Sequence, residues 1–395
     1  MPLICQRRLA TWASAGLVLL LCAPWILSSN KLYHQMISVL LWLPAVLFVV
    51  CRRELPTGLK SPDMVIFLLF SAWTLLVIAV AGGDLGKAKL PFYVGLTLLA
   101  ITFIAQAGRG HLTSLLFWSS VAGGWGAALS WAVFYGVQEH AWSDRVIALG
   151  VWDTPIMAAH AAGALALLGL CLAPVRSSGP AMAAMLVAAI GYLLFLGFGQ
   201  TRGVWVALAA SLLVTAALSR SRLILAGVVV MALGMAGVWL VWPDVLLERS
   251  LSYRPTLWSG GVRLMEEHWL FGMGFNEFHI PVEELRRTFK HPHNLFLNVA
   301  MRLGVVGLLL WLALWAAIGW RALRHYRGEM GRALIALWVF SGVAFLTDGF
   351  GPWLKPSADW LLTWLPLGLS LVLAGGPAED SARPGQRGWS NTGFM

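Results

Sequence analysis

Residues 62–82 read PDMVIFLLFSAWTLLVIAVAG, and this stretch decides the fold class. Asp63 is its one charged residue, and the run from Met64 to Ala81 carries no charge at all. An α-helix needs roughly 20 mostly apolar residues to cross the hydrocarbon core of a bilayer. The stretch therefore predicts a transmembrane helix.

Further windows of the same kind lie on both sides of this one. The chain has 395 residues, of which 59% are hydrophobic and 12% are charged, and its mean hydropathy is +0.75. This composition leaves too little polar surface to solvate a water-soluble globule of this length, so we expect lipid to be the solvent. The sequence predicts an all-α polytopic membrane protein with about 12 transmembrane helices. We place them at 9–28, 33–51, 62–82, 89–107, 112–135, 154–173, 180–199, 203–218, 223–242, 295–319, 331–350 and 358–375.

The basic residues predict the orientation, because Lys and Arg near the ends of transmembrane helices are retained preferentially in the cytoplasm. With the N-terminus inside, an even number of spans puts both termini in the cytoplasm, and the first segment is expected to stay as a helix rather than be cleaved as a signal. Topology also explains the formal net charge of +10, so we do not expect nucleic-acid binding. The predicted inner segments hold Arg7, Arg8, Arg52, Arg53, Lys60, Arg109, Arg176, Arg220, Arg222, Arg321, Arg324, Arg327, Arg332, Arg383 and Arg387.

One long hydrophilic interruption divides the chain. We expect transmembrane helices one to nine in residues 1–242, a helical periplasmic loop in 243–294, helices ten to twelve in 295–375 and a disordered cytoplasmic tail in 376–395. The four cysteines are scattered in or beside the spans, so neither a disulfide framework nor a metal cluster is expected.

The loop carries apolar residues at helical spacing. In 254–269, an amphipathic helix is predicted with Trp258, Val262, Met265 and Trp269 on one face. A second helix is predicted to begin at a proline, with three apolar residues on one face and one ion pair. Its residues are Pro281, Val282, Leu285 and Phe289, with Glu283 paired to Arg287.

His293 is the candidate general base. It stands at the membrane interface just before a span, and an imidazole with a pKa near 6.5 accepts a proton at neutral pH. An interfacial His that serves only as a cap or hydrogen-bonding partner is the alternative, and His291 is a rival for the same role. Asn294 is predicted to cap the following helix.

Charged residues at the same predicted depth are candidates for substrate binding. Arg202, in a short turn, and Arg254, at the start of the loop helix, would either bind phosphate through the planar guanidinium or extend to lipid headgroups. Asp348 would orient the imidazole of His293, hydrogen-bond a sugar hydroxyl, or be structural. Arg302 lies inside the tenth span, so it should face the bundle or a wet cavity.

Three stretches resemble the O-antigen ligase family, which also contains O-antigen polymerases and protein O-oligosaccharyltransferases. The stretches are Gln200-Thr201-Arg202-Gly203, Arg254-x-x-x-Trp258 with Gly272-x-Gly274-x-x-x-Phe278, and His293-Asn294-x-x-Leu297 followed by Gly304. Their order and the dozen spans agree with the family as well. The sequence departs from the family pattern at Trp269, where many relatives have Pro, and at Arg302, where an acidic or neutral polar residue is more usual.

The resemblance implies transfer of a glycan from undecaprenyl pyrophosphate to the lipid A-core saccharide, on the periplasmic face of the bacterial inner membrane. His293 would act as the base, Arg202 and Arg254 would bind the pyrophosphate, and Asp348 and Asn294 would contact substrate. We expect an inverting reaction that needs no metal or cofactor. A polymerase that joins lipid-linked repeat units is the alternative within the family, and a lipid-linked sugar flippase is the alternative from another class.

Overall fold

The computed structural model describes residues 3–376 apart from 153, 174–178, 242–252, 284–285, 350 and 358. These residues are mostly helical, with one two-stranded hairpin among them. In chain order the elements are α1 (Leu3–Cys22), α2 (Asn30–Ile37), α3 (Leu43–Arg52), α4 (Pro62–Ala81), α5 (Leu90–Ala107), α6 (Arg109–Ala132), α7 (Pro155–Leu172), α8 (Gly179–Phe198), α9 (Arg202–Ser219), α10 (Arg222–Val241), α11 (Arg254–Glu267), β1 (Ile280–Val282), β2 (Arg287–Phe289), α12 (Leu295–Arg324), α13 (Glu329–Thr347), α14 (Trp360–Thr363) and α15 (Leu365–Ala374).

The predicted fold class is confirmed, because the described chain contains 10 helices long and apolar enough to cross a membrane. Each coincides with one of the predicted spans, and one of them, Asn30–Arg52, runs continuously through α2 and α3. The other two predicted spans, 112–135 and 358–375, fall on α6 and on the pair α14 and α15. The number of spans stays a prediction, and the predicted tail lies outside the described residues beyond Gly376.

Small residues let the helices approach one another closely. A Cβ at Gly191 of α8 would lie 2.2 Å from the carbonyl oxygen of Gly124 in α6, and a Cβ at Gly163 of α7 would lie 2.6 Å from the Phe340 ring in α13. Such contacts are the usual basis of helix association in a bilayer, where apolar burial gives no advantage over contact with lipid. They join α8 to α6 and α7 to α13.

The loop after α10 docks into a break in α12. Gly304 has φ 67°, which interrupts the helix, and the carbonyl groups released there accept hydrogen bonds from elsewhere. Met273 N donates to Met301 O at 2.8 Å, Gly274 N to Arg302 O at 3.0 Å, and the Trp73 indole to Leu303 O at 2.8 Å. The break therefore leaves these three carbonyl groups paired, as buried backbone requires.

The first predicted loop helix is present as α11, but it ends at Glu267, and Val262 and Trp269 of its predicted apolar face are exposed. The second predicted helix is wrong. Its residues form the antiparallel hairpin of β1 and β2, in which Val282, not Glu283, stands opposite Arg287. Ile280 and Val282 are buried while Pro281 between them is exposed, so the segment follows the two-residue period of a strand. Predicted residue Leu285 lies outside the described residues.

Candidate functional site

The chain enters α12 through His293, and the local backbone aims this side chain back into the protein. His293 has φ 51°, in the left-handed region that non-glycine residues seldom adopt. The next residue, Asn294, accepts a hydrogen bond at its Oδ1 from Leu297 N at 3.0 Å, which is the cap that the sequence predicts. The Asn294 amide also donates to Leu346 O at 3.1 Å, so the start of α12 is fastened to the end of α13.

His293 pairs with Asp348, the first residue beyond α13. The two side chains meet at 3.3 Å between His293 Nδ1 and Asp348 Oδ1, and they are 23% and 12% exposed. Burial acts to raise the pKa of Asp348, but the hydrogen bond from His293, the nearby His160 imidazole and the hydrogen bond from the Gly349 N–H outweigh it and lower the pKa to about 2. Asp348 is thus an ionised acceptor at neutral pH. Nδ1 of His293 is then the donor, which leaves Nε2 as the basic nitrogen.

The two predicted arginines approach the same end of α13. Arg254 Nε donates to Thr347 O at 2.9 Å. A Cβ at Gly203 would lie 2.9 Å from Thr347 Oγ1, so the first turn of α9, which begins at Arg202, packs on the same residue. The structure therefore brings the turn of Arg202, the first residue of α11 and the His293–Asp348 pair to two consecutive residues, Thr347 and Asp348.

Each arginine is also the first residue of a helix, α9 or α11. The first N–H groups of a helix have no partner within it, and they carry the positive end of the helix dipole. Helix starts with an arginine suit an anion of high charge, because the guanidinium forms bidentate hydrogen bonds with phosphate oxygens. Both side chains are half-buried.

Sequence reasoning missed Arg145, which holds the turn before α9. Its Nε donates to Gly199 O and its Nη2 to Thr201 Oγ1, both at 2.6 Å. Gln200 in this turn has φ 46°. Arg145 lies in the break between α6 and α7, and only its tertiary contacts reveal the link with Arg202.

His160 was missed as well, because a histidine in an apolar helix resembles a core residue. It is 6% exposed in α7, and it lines a cavity of about 20 Å³ with Asp348 and Thr363. A space of this size holds about one water molecule. His160 therefore belongs to the surroundings of the Asp348 carboxylate.

His291, the rival base, contacts the ring of His293, with ring centroids 3.9 Å apart. Burial, together with the neighbouring His293, lowers the pKa of His291 to about 4, so it is uncharged at neutral pH. It lines a different and larger cavity, of about 300 Å³, together with Arg302. In the described chain, therefore, His293 rather than His291 makes the hydrogen bond with Asp348.

Comparison with known proteins points to the same family as the sequence motifs. Residues 161–312 match the model of a family described as O-antigen ligase. The chain is also 27% identical, over 404 aligned residues and 96% of each sequence, to a Pseudomonas aeruginosa protein named O-antigen ligase. The chain is thus similar to the O-antigen ligase family.

Similarity to the O-antigen ligase family indicates a glycosyltransferase-type enzyme with lipid-linked glycan substrates and a membrane context. The region matched by the family model contains Arg202, Arg254 and His293, the residues that carry the three motifs. Asp348 lies beyond its end. The partner of the imidazole is thus supplied by a later part of the chain, through the packing of α12 against α13.

Proposed function

We propose that the protein transfers a glycan from undecaprenyl pyrophosphate to a hydroxyl group of the lipid A-core saccharide. The reaction takes place at the periplasmic face of the bacterial inner membrane, and both termini lie in the cytoplasm. One observation carries the proposal: the His293–Asp348 pair and the Arg254–Thr347 contact share one helix end, and the turn of Arg202 packs on it.

In the proposed reaction His293 Nε2 takes the proton of the acceptor hydroxyl. The acceptor oxygen forms a bond with the anomeric carbon of the glycan while the bond from that carbon to the pyrophosphate oxygen breaks. The electron pair of the broken bond stays on the lipid pyrophosphate, and attack from the opposite face inverts the anomeric configuration. Asp348 keeps the proton on Nδ1 and stabilises the imidazolium that forms, as a carboxylate does beside a histidine base.

Arg202 and Arg254 bind the pyrophosphate in this proposal. Negative charge accumulates on the leaving group as the bond breaks, and fixed cations stabilise that charge without reorganising. The two helix starts add N–H groups directed at the same anion. Pyrophosphate is a good leaving group, so the chain's residues need to supply only charge and a base. Asn294 contributes indirectly, because it holds His293 at the helix entrance.

Replacement of His293 tests the proposal. We expect His293→Ala to abolish transfer to lipopolysaccharide core in purified protein, because the variant lacks the imidazole that takes the proton of the acceptor hydroxyl. His279→Ala is the matched control, since His279 is an exposed histidine of the same loop. It should transfer like the wild type. Near wild-type transfer by His293→Ala would rule out His293 as the base, and loss in His291→Ala alone would assign the role to its rival.

The choice of acceptor separates a ligase from a polymerase. Purified protein is given lipid-linked glycan together with either lipopolysaccharide core or a second lipid-linked unit. We expect product with the core only. Extension of the second lipid-linked unit, without transfer to core, would identify a polymerase that uses the same base and the same arginines.

A further inference from the structure

A second polar chamber lies beside the His293 site. It has a volume of about 300 Å³, and its walls come from the turn before α5, from the docked loop, from α12 and from the segment after α13. His291 and Asn298 line it, whereas Arg202, Arg254 and Asp348 do not. The chamber is therefore distinct from the proposed pyrophosphate site, and the contact of the His291 and His293 rings connects the two.

The two carboxylates of the chamber are already engaged. Asp84 caps the short turn that carries Lys87, with its Oδ1 accepting from Gly86 N at 2.8 Å. Glu277 pairs with Lys290 at 3.5 Å on the exposed rim. Two basic groups, Lys87 and Arg302, remain facing the space.

Arg302 is fixed in place by the loop. Its Nη1 donates to Gly274 O at 3.2 Å and to Asn276 O at 3.3 Å, and its guanidinium lies 5.0 Å from the Phe278 ring centroid. The charge that looked misplaced within a span therefore anchors the loop and faces the chamber. Within the described chain no carboxylate forms an ion pair with Arg302.

Lys87 is half-buried and within electrostatic range of the Asp84 carboxylate and of two like charges, Arg302 and Lys355. Among the residues that the structure describes, none forms a hydrogen bond or an ion pair with its ammonium group. Like charges held close together repel, and an anion between them removes that cost. The amide of Asn276 and the rings of Phe275 and Trp353 complete a lining with the mixed polar and aromatic character that suits a sugar.

We propose that this chamber binds the acceptor saccharide, and that Lys87 with Arg302 binds an anionic group, a phosphate or a carboxylate, carried by that saccharide. The inference rests on the proposed transfer reaction. An acceptor held here reaches His293 past His291, while the donor pyrophosphate lies at the arginine helix starts. The two substrates thus approach the reacting carbon from separate sites, as an inverting displacement needs.

Lys87 is the residue to change, because Arg302 also anchors the loop. The assay uses purified full-length protein, the lipid-linked glycan donor and lipopolysaccharide core in three forms: untreated, dephosphorylated with cold aqueous hydrofluoric acid, and carboxyl-reduced. It measures the KM of each substrate and, without donor, the Kd of fluorescently labelled core. Lys31→Gln is the matched control, since Lys31 is exposed and outside the chamber lining.

Lys87→Gln should raise the KM and Kd of untreated core roughly tenfold, as expected for one lost charge-assisted hydrogen bond, and leave the donor KM unchanged. Lys87→Arg should restore most of the affinity. One of the two treatments should weaken binding of core to the wild type as much as Lys87→Gln does, and it should not weaken binding to Lys87→Gln further. If dephosphorylation has this effect the group is a phosphate, and if carboxyl reduction has it the group is a carboxylate.

Wild-type affinity of Lys87→Gln for untreated core would overturn the inference, as would a rise in donor KM alone. The outcome is separate from that of the transfer assay. If His293→Ala lost transfer while Lys87→Gln bound core unchanged, the assignment of the chamber to the acceptor would be rejected and the proposed reaction would stand. Lys87-dependent binding of core by a wild type that transfers no glycan would retain the chamber and reject the reaction.

Discussion

At the scale of single residues, the site depends on side chains whose geometry is set by neighbours. His293 keeps a left-handed backbone that costs a non-glycine residue about 1 kcal/mol or more, and the cap at Asn294 and the contact with Asp348 hold it there. The pKa of Asp348 falls from 3.8 to about 2. The contribution of ionised Asp348 to folding stability is therefore complete above pH 3.8 and is lost as the pH falls through 2. The carboxylate thus stays ionised at neutral pH.

Arg254 provides the sharpest test of geometry against charge. Its Nε is occupied by Thr347 O, which orients the rest of the guanidinium fork. In Arg254→Lys the charge remains, but one ammonium cannot keep that contact and bind pyrophosphate bidentately. We expect kcat/KM for transfer to fall at least roughly tenfold, or about 1.4 kcal/mol. Arg263→Lys, an exposed position on the same helix, is the control and should behave like the wild type. Full activity of Arg254→Lys would reject bidentate binding.

At the scale of elements, the break in α12 joins the loop to the bundle. A Cβ at Gly304 would lie 2.0 Å from Leu270 O, and a Cβ at Gly272 would lie 2.3 Å from the carbonyl carbon of Arg302. The Gly272-x-Gly274 motif thus docks on α12 where the helix is interrupted. The interruption is at Gly304, whose φ of 67° favours glycine. Because His291, Asn298 and Arg302 lie along or just before this helix, the same docking shapes the chamber.

Gly304→Ala tests whether this docking supports the site. The added methyl group must displace the Leu270 backbone, and the alanine must adopt a positive φ. We therefore expect the free energy of unfolding to fall by more than about 1 kcal/mol. Thermal unfolding in detergent should show a lower Tm, and limited proteolysis should cut the loop faster. Gly234→Ala in α10 is the control, since a Cβ there meets nothing within 4 Å. Equal Tm values for the two variants would show that the break is not sealed by the loop.

At the scale of the whole molecule, the sequence predicted what depends on local pattern and missed what depends on packing. The spans, the α11 helix and the cap at Asn294 follow from hydropathy, periodicity and residue type. The segment after Pro281 was predicted wrongly because a few residues fit both a helical and a strand period, and burial of Ile280 and Val282 decided between them. Arg145 and Lys87 escaped notice, since the hydrogen-bond partners of Arg145 and the other charged group of the chamber, Arg302, are far away along the chain.

Arginines that the sequence places in the cytoplasm form hydrogen bonds at the end of the bundle opposite the His293 site. Arg321 binds Asp63 through two hydrogen bonds of 2.9 and 3.0 Å, Arg52 donates to Gln6 at 2.7 Å, and Arg109 donates to Val372 O at 2.9 Å. These basic groups secure helix ends on one side, while the His293 site occupies the other. If Lys and Arg near span ends are retained in the cytoplasm, the site faces outwards.

Cysteine labelling tests this topology in living cells. Starting from a variant without Cys5, Cys22, Cys51 and Cys171, one cysteine is placed at exposed Ser259 on α11 or at exposed Glu54 after α3. We expect a membrane-impermeant maleimide to label Ser259→Cys in cells with an intact inner membrane, and Glu54→Cys only after detergent permeabilisation. These positions lie at opposite ends of the bundle, so in either orientation one of them faces the cytoplasm and is protected from the reagent. Labelling of Glu54→Cys but not Ser259→Cys in intact cells would turn the His293 site towards the cytoplasm, where a lipid-linked glycan exposed on the outer leaflet could not reach it.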